Sequence, residues 1–91
     1  MAHLSKDALF TALSRASARV EVGAFYTHYK NPLKRYQVIH LAVMEADDSI
    51  AVLYQTVNDS DPEIVFVRSV ESFLETVTHE GVVVNRFSKI T

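Results

Sequence analysis

Phe25-Tyr-Thr-His-Tyr-Lys-Asn-Pro-Leu-Lys-Arg-Tyr-Gln-Val-Ile-His40 decides how the rest of this 91-residue chain is read. Residues alternate along it with a period of two, as in a strand whose successive side chains face opposite ways. Phe25, Thr27 and Tyr29 fall on one side; Tyr26 and His28 fall on the other with Ala24 just before them. Lys30 to Lys34 reads as a turn, because Pro32 cannot donate to a central ladder and Asn31 tolerates tight bends. Arg35 to Met44 then reads as a long strand, apolar on both faces at Val38, Ile39, Leu41 and Val43, which predicts burial on both sides.

Working outward, the segment before it has helix grammar. Ser5 is placed as an N-cap, Asp7 lies in the positive first turn, and Leu9, Ala12, Leu13, Ala16 and Val20 recur at helical spacing. An amphipathic helix from about Lys6 to Ala18 is expected, covering an apolar face of the sheet. Leu9 and Leu13 are expected to be buried beneath it. Beyond the hairpin, Glu45 to Asp48 turns the chain into a strand over Ser49–Val57, and Asn58 to Pro62 reads as a loop. Glu63 to Arg68 reads as a fourth strand. Ser69 caps a short helical segment holding Phe73 and Leu74, reaching toward Val77, and Val82 to Phe87 forms a last strand. Strands at this spacing predict a mainly β fold, α+β by count: a five-stranded SH3-like barrel with an N-terminal helix and a one-turn helix before the last strand. Residues 1–21 form the helical element packed on the barrel, and residues 22–91 form the barrel domain.

The residues also carry a resemblance. Gly23, Tyr26-Thr27-His28-Tyr29-Lys30, Tyr36 and Val38, Val52-Leu53-Tyr54, Val67-Arg68, Phe73 and Glu75, and Arg86-Phe87 stand in the order and spacing of a bacterial family, domain of unknown function 1653. The chain resembles that family over about residues 22–90. The resemblance implies an SH3-type barrel and, because the family has no established biochemical role, no activity. Asn31, Phe66 and Ser69 stand where the family usually has Gly, Trp and Pro, and its threonine-rich turn is reduced to Met44-Glu45-Ala46.

Composition narrows the function. Nearly half the residues are apolar, enough for a core in one domain, and the chain has no cysteine, which excludes disulfides, thiolate metal sites and cysteine nucleophiles. The N-terminus shows no uninterrupted apolar run, so a soluble cytoplasmic protein without membrane contact is expected. Net charge is only −2. Residues 1–40 carry six Lys/Arg against two Asp/Glu, whereas residues 41–91 carry three against nine. This predicts a dipolar surface if the halves face different ways.

No nucleophile–base pair, nucleophile elbow or glycine-rich phosphate loop is present, so an enzyme is not expected. Neither is a metal: His28, His40 and His79 lack a carboxylate at ligand spacing. No cofactor is expected. The residues that could hold a ligand are Tyr26, His28, Tyr29, Lys30, Lys34, Arg35, Tyr36 and Arg68. His28 sits among aromatics and titrates near neutrality. Arg68 and Arg86 end apolar strands, where a cation is either paired or presented, and ion pairs with Glu45, Glu71 or Glu75 are the favoured reading. These features point to a non-enzymatic binding or protein-interaction module that uses a Tyr/His/Lys surface. Its partner would be a protein, a peptide or a small anionic ligand, and the chain could pair as a homodimer. The alternative is an anion, nucleotide or single-stranded nucleic acid held by the basic turn 28–36 beside stacking rings. The overall acidity weighs against nucleic acid, since backbone affinity scales with phosphates neutralised.

Overall fold

The computed structural model describes residues 4–57 and 64–90. The expected loop at Asn58–Pro62 lies outside them. Helix α1 spans Lys6–Arg19, with the Ser5 side chain accepting from the Ala8 amide as its N-cap. It is followed by β1 (Phe25–His28), β2 (Asn31–Met44), β3 (Ser49–Thr56) and β4 (Val65–Ser69). The short helix α2 (Val70–Leu74) is capped by Ser69, whose hydroxyl accepts from the Ser72 amide. The chain then forms β5 (Thr76–His79), β6 (Val82–Asn85) and β7 (Phe87–Ile90).

The fold is mainly β, with antiparallel sheets and two helices. Five strands pair in the order β4-β3-β2-β1-β7, and β5 and β6 make a separate hairpin. The sheet does not close, so the expected five-stranded SH3-like barrel is corrected to an open, curled sheet. Closure would require β4 to pair with β7. Instead, the chain leaves β4 through α2 and the β5–β6 hairpin before returning to pair β7 with β1.

The segment expected to extend α2 toward Val77 is strand β5, and the break at His79-Glu80-Gly81 is a two-residue hairpin turn. Glu80 and Gly81 both have positive φ, 52° and 80°, the backbone that matches a hairpin's right-handed twist and suits Gly at the second position. The expected last strand, Val82 to Phe87, divides at Arg86 into β6 and β7.

Bulges bend the sheet. Val38 pairs with Tyr54 and His40 with Leu53, which leaves Ile39 as an extra residue in β2. Such an insertion bends the strand and increases its twist. A larger irregularity sets His28 opposite Asn31 while Thr27 stands opposite Arg35. Pro32, Leu33 and Lys34 therefore bow out of the ladder where no amide is needed, which is why Pro is tolerated inside β2. The expected turn over Lys30 to Lys34 is shorter than predicted, because β2 already begins at Asn31.

All the core lies on the concave side of the sheet. Tyr26, Val38, Leu41, Val52, Tyr54 and Phe87 point inward from four strands, and Ala16, Val20, Val70 and Phe73 are added by the helical segments. On the convex side Ile39 and Leu53 are half-buried and Phe25, Val65 and Val67 are exposed, whereas Val43, two residues after Leu41 and opposite Ile50, lies on the core side. The expectation that β2 is buried on both faces therefore holds only for its inward residues. Helix α1 meets the core through Ala16 and Leu13, with Val20 following it, while Leu9 is only half-buried. Gly23 turns the chain from Val20 into β1 with φ of 90°, and its amide donates to the Val38 carbonyl at 2.7 Å. Among the described residues, no helix is long and apolar enough to cross a membrane.

Phe73 is 1% exposed and its ring stacks on Phe87 at 4.2 Å and 8°. Truncation of a buried Phe costs about 3–5 kcal/mol. Phe73→Ala is therefore expected to destabilise the chain by about that much in urea unfolding. Phe10→Ala, on the exposed side of α1, should shift the midpoint by less than about 0.5 kcal/mol. Equal effects would contradict the placement of the core.

Candidate functional site

The strand pairing accounts for the site. Tyr26 and Tyr36 stand opposite each other, as do Tyr54 and Phe66, and His28 and Phe87. Tyr54 also pairs across β2–β3 with Val38 of the core. By alternation these side chains all project to the concave face. A flat sheet of five strands would hold its edge strands roughly 19 Å apart, four spacings of about 4.8 Å. Yet the Arg68 guanidinium on β4 lies 5.8 Å from the centroid of the Phe87 ring on β7. The sheet therefore curls until its two free edges face each other, and the gap between them is a pocket.

This pocket has a volume of about 230 Å³ and is lined by His28, Tyr36, Tyr54, Phe66, Arg68 and Phe87. Each of the five sheet strands contributes. Its rings meet mostly edge to face: Tyr36 with Tyr54 at 5.7 Å and 73°, Tyr36 with Phe87 at 5.9 Å and 86°, Tyr54 with Phe87 at 5.3 Å and 71°, and His28 with Phe87 at 5.0 Å and 79°. Tyr54 and Phe66 are tilted by only 30°. Beneath them, the stack of Phe73 on Phe87 forms the floor.

Arg68 is the charge of the pocket. Its Nη1 donates to the Ser72 hydroxyl at 2.9 Å, and its Nε points at the Tyr54 hydroxyl at 3.5 Å. Among the described residues no carboxylate pairs with it. The ion pair expected for Arg68 is therefore not found, whereas Arg86 does pair with Glu75 at 3.4 Å. A guanidinium has five N–H donors. Two are directed at Ser72 and Tyr54, and the other three meet no acceptor among the described residues.

His28 lies beside this cation. Its Nδ1 accepts from the Lys30 amide at 3.2 Å, so the neutral ring carries its proton on Nε2. Burial holds the imidazole below its ordinary value of 6.5, and the nearby charges of Arg68, Arg86 and Lys30 push it the same way. His28 is therefore a neutral donor at physiological pH.

The other expected site residues are dispersed. Tyr26 is 5% exposed, packs edge-on against Phe73, and accepts from the Glu21 amide through its hydroxyl, so it holds the turn before β1. Tyr29 packs between His28 and His79 outside the pocket, with Lys30 Nζ 5.9 Å from its ring. Arg35 pairs with Thr27 and falls on the convex face, opposite in direction to Tyr36. Lys34 lies in the outward bow of β2. The basic turn is thus not a single surface. Of the eight expected residues, His28, Tyr36 and Arg68 converge in the pocket. Tyr54, Phe66 and Phe87 complete it and were not expected as site residues. Their shared parity was the available signal: Tyr54 inward on β3, Phe66 two residues before Arg68 on β4, and Phe87 directly after Arg86.

With this geometry in place, comparison with known proteins can be set against it. Residues 24–89 match the family model described as a protein of unknown function, DUF1653. The chain belongs to the DUF1653 family. A crystal structure of a DUF1653 protein from Bordetella bronchiseptica superposes with a TM-score of 0.66, at 22% identity, covering 79% of this chain and 90% of that one. At that identity the likeness establishes the shared fold. No curated protein matches the chain significantly. The family match begins at Ala24, past α1, and takes in every residue that lines the pocket.

Because His28 is held neutral in the folded chain, its unfolded form binds protons more readily. Stability contributed by the neutral ring is present at pH 7.5 and is lost as pH falls through the unfolded value of 6.5 and on through the lower folded value. The melting temperature is expected to drop over this range, and that component should disappear in His28→Gln. A variant that kept the same pH dependence would assign it to another group.

Proposed function

We propose that the chain is a non-enzymatic binding module whose ligand sits in the pocket between the two edges of the curled sheet, with Arg68 as its charge anchor. The observation that carries this reading is Arg68 itself. A half-buried guanidinium ordinarily faces a carboxylate. This one is held by two neutral hydroxyls against the face of an aromatic ring and, among the described residues, keeps three donors unused. An anionic group of a ligand would complete it with charge-assisted hydrogen bonds. Neutral His28 supplies a second donor, and the aromatic walls supply apolar contact of the kind found in small-molecule sites.

The pocket is favoured over the basic turn because its groups converge, whereas Lys30, Lys34 and Arg35 diverge around the bow in β2. It is also favoured over a protein-interaction surface, because a cation and a neutral imidazole donor in a concave ring-lined site suit a small molecule rather than a broad apolar interface. No paired acid and base stands at hydrogen-bond distance among the lining residues, which supports binding rather than catalysis.

Two measurements test the reading. Arg68→Ala removes two hydroxyl contacts but strands no buried carboxylate, so it should destabilise by about 1–2 kcal/mol rather than the ~3–5 kcal/mol of a broken buried ion pair. Amide shifts followed while small anionic, neutral and cationic compounds are titrated should move at residues 28, 36, 54, 66, 68 and 87 with the anions, and should stay still in Arg68→Ala. Shifts confined to residues 30–35 under nucleotides would replace this reading with the basic-turn alternative. Shifts on the convex face under peptides would favour the protein-interaction one.

A further inference from the structure

The geometry points to a defined ligand class: a single aromatic ring bearing one carboxylate, with an uncharged acceptor atom in or on the ring. The inference rests on the proposed binding function of the pocket and follows from its size, its charge and the arrangement of its walls.

Size limits the ligand to about one ring. The pocket of about 230 Å³ is below the ~300–1,000 Å³ of sites for drug-sized molecules. A purine nucleotide or a dipeptide would leave much of its surface outside.

Charge selects a carboxylate over a phosphate. Arg68 is the only full cation among the lining residues. Arg86, next in the chain to Phe87, is committed to Glu75, and Lys30 lies at the Tyr29 ring outside the pocket. His28 is neutral. One guanidinium matches one carboxylate, two N–H groups to two oxygens in a plane. A phosphomonoester approaches two negative charges at pH 7, of which the single guanidinium would balance one.

The walls select a ring. Tyr36, Tyr54, Phe66 and Phe87 line the pocket with aromatic rings that meet one another at interplanar angles of 30° to 86°. An aromatic ring seated against them would gain ring–ring contact that goes beyond the burial of equal apolar area. A saturated ring gains the burial only. His28 then reads the ring itself. With Nδ1 taken by the Lys30 amide, its free Nε2–H donates to an uncharged acceptor, such as a ring nitrogen or a carbonyl oxygen.

Titration calorimetry on the intact chain with a matched series tests each step: benzoate, the three pyridinecarboxylates, cyclohexanecarboxylate, phenyl phosphate and benzamide. One pyridinecarboxylate is expected to bind most tightly and benzoate next, with cyclohexanecarboxylate and phenyl phosphate at least several-fold weaker. In Arg68→Ala the carboxylates should lose about 10- to 100-fold, the value of a hydrogen bond to a charged group. In His28→Phe, which keeps a ring and removes the N–H, the pyridinecarboxylate should lose more affinity than benzoate, so that its advantage over benzoate vanishes. Phenyl phosphate binding more tightly than benzoate, or cyclohexanecarboxylate binding equally, would overturn the ligand class and leave the anion pocket standing. Benzamide binding as tightly as benzoate would overturn the anchoring role of Arg68. Absence of binding by the whole series, together with no amide shift at the pocket, would overturn both.

Discussion

The stack of Phe73 on Phe87, 4.2 Å apart and nearly parallel, is the contact on which the shape of this molecule depends. Phe87 stands on an edge strand, and Phe73 stands on the short helix that leaves the other edge. Holding these rings together draws β7 and β4 toward each other around the same core. Tyr26 and Tyr54 then pack edge-on against Phe73 at 5.1 and 5.7 Å, so β1 and β3 are fixed to the same point. The sheet curls because its concave face must wrap one aromatic residue supplied by a helix. Its edge strands β4 and β7 are not paired with each other, and the chain between them runs through α2 and the β5–β6 hairpin.

Charge at this opening follows a different logic from the rest of the surface. Arg86 faces Glu75, Arg19 faces Glu71 and Lys89 faces Glu21, each at 3.1 to 3.7 Å. These are exposed or half-exposed pairs whose contribution to stability is small. Arg68 has no such partner among the described residues, although the half of the chain that contains it is acidic. Ser72 and the Tyr54 hydroxyl orient its guanidinium without neutralising it, and the Phe87 ring gives it a surface to lie near. The positive field persists at the pocket and adds to burial, the larger cause, in lowering the proton affinity of His28. In a chain of net charge −2, this local excess arises from the pairing pattern and is invisible in the total.

The local elements could be read in the sequence because each is set by nearby residues. Ser5 and Ser69 cap their helices with their own hydroxyls. The period of two through Phe25 to His28 gives the faces of β1, and it placed His28 and Tyr26 on one side as found. The open sheet could not be read this way, since whether β4 meets β7 depends on the path of the chain through α2 and β5. Nothing in the period of Val65 to Ser69 distinguishes a closed edge from a free one. Pro32 misled for a related reason: it does exclude a ladder amide, but a bulge inside a strand satisfies that rule as well as a turn. The site was half legible. His28, Tyr36 and Arg68 stood out as polar groups within apolar strands, whereas Tyr54, Phe66 and Phe87 resembled ordinary core until the curl of the sheet brought them around one opening. The ion pair expected for Arg68 was an inference from burial alone, and among the described residues two hydroxyls stand where the acid was expected.

An unclosed sheet leaves two free edges, which folded proteins usually cover or block. Here β7 exposes Ser88 and Lys89, while β4 exposes Val65, Phe66 and Val67, with Val67 54% accessible. The concave side near these edges is where closing hydrogen bonds would have joined them in a barrel. A molecule seated between Arg68 on one edge and Phe87 on the other would supply that connection through its own contacts. Such a ligand binds only the curled arrangement, so its binding energy adds to the stability of the curl by mass action. The open gap between β4 and β7 would therefore couple occupancy of the pocket to the fold.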